Sequence, residues 1–253
     1  MTIQSRADLT GMQQVGRAVA RTLLEMRGAV RAGISTRALD AIGERSARKL
    51  GARSAPRLAY DFPGFTCISV NEEIVHGIPG PRVLQPGDVV KLDVTLELDG
   101  FIADSATTII VPPALPDAIR LKDAARRAFA AAMRAARPGA PVRVLGAAIA
   151  AEARRHACDP IRELCGHGVG RRIHEGPEVP NFGDPFARAM LREGLVLAVE
   201  PMLTRRRTRV ITEPDGWTIR TRTREIAVHH EHTIVVRHGA PLILTSPAGA
   251  LAA

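Results

Sequence analysis

Residues 89–110 carry the plainest hydrophobic pattern in the chain. Val90, Leu92, Val94, Leu96 and Leu98 alternate with Lys91, Asp93, Thr95 and Glu97, the period of a half-buried strand. Asp99-Gly100 supplies a hairpin turn, and a second strand returns through Asp104 into "TTIIV". If Leu98 pairs with Phe101, paired positions sum to 199, so Asp93 lies opposite Ala106 and Asp104 opposite Thr95. The two aspartates then become diagonal neighbours on one face, roughly 7–8 Å apart at Cα. From the hairpin alone, a solvated ribbon face and a shared ligand are both open readings.

Elsewhere the pattern is helical. "MTIQSRADLTGMQQVGRAVARTLLEM" reads as an amphipathic helix, and Ser35 or Thr36 can cap a second helix running towards Leu50. A third helical stretch spans about Pro116 to Ala136 and is stopped by the Pro-Gly of "RPG". Pro141 suits the first turn of a fourth, to about Ala157. Helix pairs alternating with strand groups predict an α+β architecture, with helices packed outside a curved antiparallel sheet.

The chain also repeats itself faintly. Gly33, Arg37 and Leu39 recur as Gly139, Arg143 and Leu145, while Gly87 and Asp93 recur as Gly194 and Glu200. Each half places a histidine ahead of that unit, His76 or His174, and an acid before an aliphatic strand, Asp104 or Glu231. The expectation is a single domain, 1–253, made of duplicated halves at about 28–112 and 134–240. A pseudo-twofold relation between them would bring Asp93, Asp104, Glu200 and Glu231 to one centre.

That centre acquires a fifth member from "ELCGHGVGRRIHEGPEVPNFG", where glycines at 166, 168 and 170 strip side chains from around His167. Four carboxylates aimed at one point need at least two divalent cations for neutrality. Oxygen-rich ligation with one imidazole and no thiolate suits Mn, Fe(II), Co or Zn. Two ions ~3.5–4 Å apart can hold a bridging water acidic enough to give hydroxide at neutral pH, which fits acyl-bond hydrolysis. "GHGVG" lacks the strand-to-helix setting of a dinucleotide fingerprint, and there is no Gly-x-Ser-x-Gly elbow.

Composition narrows the setting. The chain has 253 residues, 45% hydrophobic and 24% charged, with no apolar run long enough for a membrane span and no signal-peptide block. Cys67, Cys158 and Cys165 form neither a disulfide framework nor a Cys-x-x-Cys site, which predicts a reducing, cytoplasmic home. The net charge is +9, and arginine supplies all but three of the 35 basic side chains. With aromatics at 3% there is no basic block interleaved with aromatics, so no sequence-specific nucleic-acid site is expected. The charge can still assist transient docking to an RNA-rich partner such as a ribosome.

"CISVNEEIVHGIP", "KLDVTLELDGFIADS", "LCGHGVGRRIHEGPEVPN", "LAVEPM" and "DGWTIRTRTREIAVHHEHTIVV" together resemble the type I methionine aminopeptidases of the pita-bread fold, from the first helix to about Leu244. The resemblance implies metal ligation by Asp93, Asp104, His167, Glu200 and Glu231, with two divalent ions as cofactors. It implies that His76 and His174 contact substrate, His76 at the scissile amide nitrogen and His174 at the oxyanion. Glu200 would carry the proton from a metal-bridging hydroxide to the leaving nitrogen. The implied reaction is removal of the initiator methionine from nascent polypeptide N-termini when the second residue is small, by a monomer.

The 31-residue spacing of Glu200 and Glu231 leaves no room for the insertion of the type II branch. No extension or large N-terminal domain of the eukaryotic or prolidase relatives is expected. The resemblance weakens at "YDFPGFTC", residues 60–67, which is one residue short of the family pattern, and at Ile173, where many members carry an aromatic residue. Tyr60, Phe62, Cys67 and Trp217 are expected to line a methionine-sized slot. Two alternatives stay open: a related aminopeptidase with altered first-residue specificity, and a non-catalytic binding homologue.

Overall fold

The computed structural model describes residues 1–246; the last seven positions of the expected domain lie outside the described residues. Among the described residues there are five helices, four of them in the stretches the periodicity marks out: α1 (Arg6–Ala29), α2 (Thr36–Lys49), α3 (Ala55–Tyr60), α4 (Pro116–Ala135) and α5 (Arg143–Arg155). Ser5 and Ser35 cap α1 and α2 by accepting the Asp8 and Ala38 amides at 3.1 and 3.2 Å, which satisfies donors the first turn leaves unpaired. Pro141 does not open α5. It forms a bridge with Met190, and the Val142 amide donates to Ala189 O at 2.7 Å, so the helix starts two residues later. The other end comes before Ala157, whose φ of 52° is left-handed. The short α3 is the one helix the periodicity does not foretell; Ser54 caps it and Pro56 lies in its first turn.

Every strand pairing is antiparallel among the described residues. Val89–Leu98 and Phe101–Ile110 pair along their full length, with Asp93 opposite Ala106 and Thr95 opposite Asp104 as the 199 register requires. Asp99 and Gly100 both take positive φ, 52° and 79°, the conformation a two-residue turn demands of a twisted hairpin. Strands 53–54 and 67–70 join Val89–Leu98 to complete one four-stranded sheet. A five-stranded sheet runs in the order 242–243, 232–235, 196–199, 165–168, 175–180, and two three-stranded sheets complete the set. Two large apolar clusters fill the layers between helices and sheets. Met12, Val15 and Val19 of α1 pack with Leu92, Val94 and Leu96 of the hairpin. Leu121 and Phe129 of α4 and Leu145 and Ile149 of α5 pack with Leu197, Val199 and Ile234. No helix among the described residues is long and apolar enough to cross a membrane.

The hairpin's sheet meets the strands Ala227–His229 and His232–Val235, and the link between them, along a seam closed by side chains bonding to backbone. Thr233 Oγ1 accepts the Asp104 amide and donates to Asp104 O, both at 2.8 Å. Ser105 Oγ donates to Glu231 O at 2.6 Å, and the Glu231 amide donates to Ala106 O at 2.9 Å. Thr108 Oγ1 donates to His229 O at 2.8 Å and accepts the His229 amide at 2.9 Å. All of these groups are buried, so losing a partner exposes the full desolvation penalty. Thr108→Val keeps the shape and removes both bonds. It is expected to cost about 2–4 kcal/mol in urea unfolding, with Thr108→Ser retaining most of the stability; equal loss in both variants would assign the effect to packing.

Candidate active site

The hairpin and the seam deliver five acidic and imidazole side chains to one cleft of about 500 Å³. Asp93 and Asp104 come from the two hairpin strands, and Thr95 Oγ1 donates to Asp104 Oδ1 at 2.9 Å. His167 sits on the strand Cys165–Gly168, which threads a narrow gap: a Cβ on Gly166 would lie 2.4 Å from Ala198 O, and one on Gly168 2.2 Å from Gly176 O. Glu200 follows the strand Val196–Val199, and Glu231 precedes His232–Val235. Asp104, His167 and Glu231 each offer a ligand atom within 4.8 Å of the others. His167 Nε2 is 3.6 Å from Glu200 Oε1. Its Nδ1 faces Gly168 O at 2.9 Å, a contact that places the proton on Nδ1 and leaves Nε2 free to ligate.

His76 and His174 line the same cleft, as do Tyr60, Phe62, Cys67 and Trp217. His76 holds a left-handed backbone, φ 58°, a conformation that persists only where its surroundings impose it. His174 packs edge-on against His167, ring centroids 4.4 Å apart, and its Nδ1 lies 2.7 Å from the Tyr60 hydroxyl. Phe62 meets Trp217 edge to face at 5.2 Å. The shortened 60–67 stretch thus still supplies an aromatic wall, and Ile173 is buried beside it.

The electrostatics are those of negative charge packed into a dry space. Burial, and then Asp104 and Glu200, push the Asp93 carboxyl well above the usual carboxylate range. Glu231 is raised likewise, by burial and then by Asp104, Glu200 and Asp93. Burial raises Glu200 to about 8 against the opposing pull of His167. Burial lowers His76, and it lowers His174 to about 4 with the help of His167, so the latter ring is neutral. Burial followed by the nearby aspartates raises the Cys67 thiol well above its ordinary value, which removes it as a thiolate nucleophile.

Asp93 Oδ1 and Glu231 Oε1 are buried and have no hydrogen-bond partner among the described residues. Orphaned carboxylate oxygens are costly, and divalent cations would satisfy them. Oxygen donors with imidazole and no thiolate fit divalent first-row ions, so the residues present suit the group. One further side chain joins them that the sequence reading missed. His229 Nε2 lies 3.4 Å from Glu200 Oε2 and 3.6 Å from Glu231 Oε2. Its position two residues before Glu231, on the same side of an extended segment, was the available clue.

Raised carboxyl pKa values mean that the metal-free cleft holds protons at pH 7 which cations must displace. Titrating Mn²⁺ or Co²⁺ into metal-free protein is therefore expected to release protons, and apparent affinity is expected to climb with pH from 6 to 8, as Glu200, raised to about 8, gives up its proton. Calorimetry in buffers of different ionisation enthalpy counts them; binding without proton release at pH 7 would contradict this electrostatic picture.

Comparison with known proteins follows the same lines. The model of metallopeptidase family M24 matches residues 10–238. Methionine aminopeptidase 2 of Bacillus subtilis (strain 168) is 37% identical over 247 residues, 97% of this chain and 99% of that protein. Methionine aminopeptidase 1 of the same organism is 38% identical over 234 residues, 92% of this chain and 94% of that one. The crystal structure of methionine aminopeptidase from Thermotoga maritima superposes with a TM-score of 0.93 at 33% identity, covering 97% of this chain and 100% of that one. The prolidase from Pyrococcus furiosus, at 20% identity and a TM-score of 0.77, covers 97% of this chain and 65% of its own, and shares the pita-bread fold.

Proposed function

The chain belongs to metallopeptidase family M24, with methionine aminopeptidases among its relatives, and from that premise we propose that it removes the N-terminal methionine of nascent polypeptides when the second residue is small. The observation that carries this reading is the convergence of Asp93, Asp104, His167, Glu200 and Glu231 beside an aromatic-walled cleft. These five would hold two divalent ions, drawn from Co, Mn, Fe(II) or Zn on the chemistry of the donors. When bound, the ions would supply an acidified water at neutral pH.

The chain's own residues do the rest. Glu200 takes the proton of the attacking water and passes it to the leaving nitrogen as the C–N bond breaks. His76, fixed by its left-handed backbone, contacts the scissile amide nitrogen. His174 steadies the oxyanion. That task needs a proton on Nε2, and the Tyr60 hydroxyl favours this tautomer by donating to Nδ1. Tyr60, Phe62, Cys67 and Trp217 receive the methionine side chain, largely by apolar contact.

Finer aspects follow from the same reading. A complete ligand set within one chain supports action as a monomer. Three free cysteines support a reducing, cytoplasmic setting. Transient ribosome association is supported by a groove of about 470 Å³ lined by Arg162, Arg207, Arg209 and Arg222, which shares Glu163 with the cleft.

The experiment that tests this function is peptide hydrolysis with Co²⁺, Mn²⁺ or Fe²⁺ across a panel varying the first two residues. Methionine is expected to leave Met-Ala-type peptides and to stay on Met-Lys-type ones. Equal cleavage of both, or a preference for proline second, would remove the assignment. Tyr60→Phe is expected to lower kcat by roughly fivefold to tenfold with KM little changed, the loss of about 1 kcal/mol in the transition state alone. A change confined to KM would make Tyr60 a wall of the pocket only.

A further inference from the structure

We propose that His229 is a sixth ligand of the cleft, giving the cation held between Glu200 and Glu231 an imidazole of its own. The ring is 1% exposed, and neither Nδ1 nor Nε2 has a hydrogen-bond partner among the described residues. A buried imidazole without partners is destabilising unless something accounts for it. Nε2 faces carboxylate oxygens of Glu200 and Glu231 at 3.4 and 3.6 Å, beyond the 2.7–3.2 Å of an N–H···O bond. Those are the separations of donors sharing an ion. Two atoms each about 2.0–2.2 Å from one tetrahedral cation lie roughly 3.3–3.6 Å apart. Glu200, His229 and Glu231 each offer an atom within 4.8 Å of the others, as Asp104, His167 and Glu231 do.

One further feature suits a ligand. The backbone on which it stands is fixed from both sides by Thr108 Oγ1, which sets its direction before any ion arrives. Glu200 then lies between two imidazoles, with Oε1 towards His167 Nε2 at 3.6 Å and Oε2 towards His229 Nε2 at 3.4 Å. One nitrogen at each end of the pair would favour Fe(II), Co or Zn over Mn at the second position.

The inference rests on the metallopeptidase reading, and the test separates the two. Co²⁺ is titrated into metal-free full-length protein and followed by proton NMR and by calorimetry. With two ions bound, the wild-type chain is expected to show two exchangeable, hyperfine-shifted imidazole N–H signals, and His229→Gln only one. The variant is also expected to weaken the second equivalent by at least about tenfold while leaving the first within about twofold. Two bound ions with one imidazole signal in the wild-type protein would overturn the inference and leave the metallopeptidase reading standing. Binding of neither equivalent would overturn both. The wild-type spectrum decides the matter even if the variant does not fold.

Discussion

Mutual repulsion among carboxylates is the constraint around which this fold is organised. Asp93, Glu200 and Glu231 are each pushed towards the protonated form by burial, and Asp104 adds to the push on all three. Nothing in the local chemistry of these side chains would draw them together. They are held there by bonds made elsewhere: a ten-residue strand pair that fixes Asp93 against Asp104, and a seam of threonine and serine hydroxyls that brings Glu231 alongside. Hydroxyls suit that role because one oxygen can both accept an amide and donate to a carbonyl, joining sheets whose own ladders do not run on into each other.

Around this charged centre the cleft divides by chemistry. One side is carboxylate and imidazole; the other is Tyr60, Phe62 and Trp217, with Cys67 kept as a thiol by burial. Tyr60 belongs to both sides, since its ring faces His174 in a stacked pair and its hydroxyl meets Nδ1. The shortened 60–67 stretch therefore bears on the tautomer of a polar residue as well as on the shape of an apolar slot.

Much of this was legible in the chain because the informative contacts are local. The hairpin register follows from alternation and a two-residue turn, and it places Asp93 opposite Ala106 as drawn from the residues alone. The start of α2 follows from Ser35, one of the two caps that the residues there offer. What could not be read depends on distant partners. Pro141 looks like a helix opener until Met190, far along the chain, claims its backbone in a bridge. The seam joins residues more than a hundred positions apart, through side chains that look like ordinary strand polar positions. His229 was passed over for a similar reason. Within "VHHEH" alternation puts it on the side of Glu231, but only the arrival of Glu200 from another strand makes that side a cage.

The seam has a consequence for how long such a chain survives. Carboxylates drawn from both sides of it can grip an ion only while the sheets stay joined, so an ion taken up acts as a rivet across the join. Occupancy and resistance to unfolding become one thermodynamic quantity, and each tenfold excess of free ion over its dissociation constant adds about 1.4 kcal/mol per site. A molecule starved of cations would lose its grip on its own architecture along with its chemistry, and proteolysis would register the shortage.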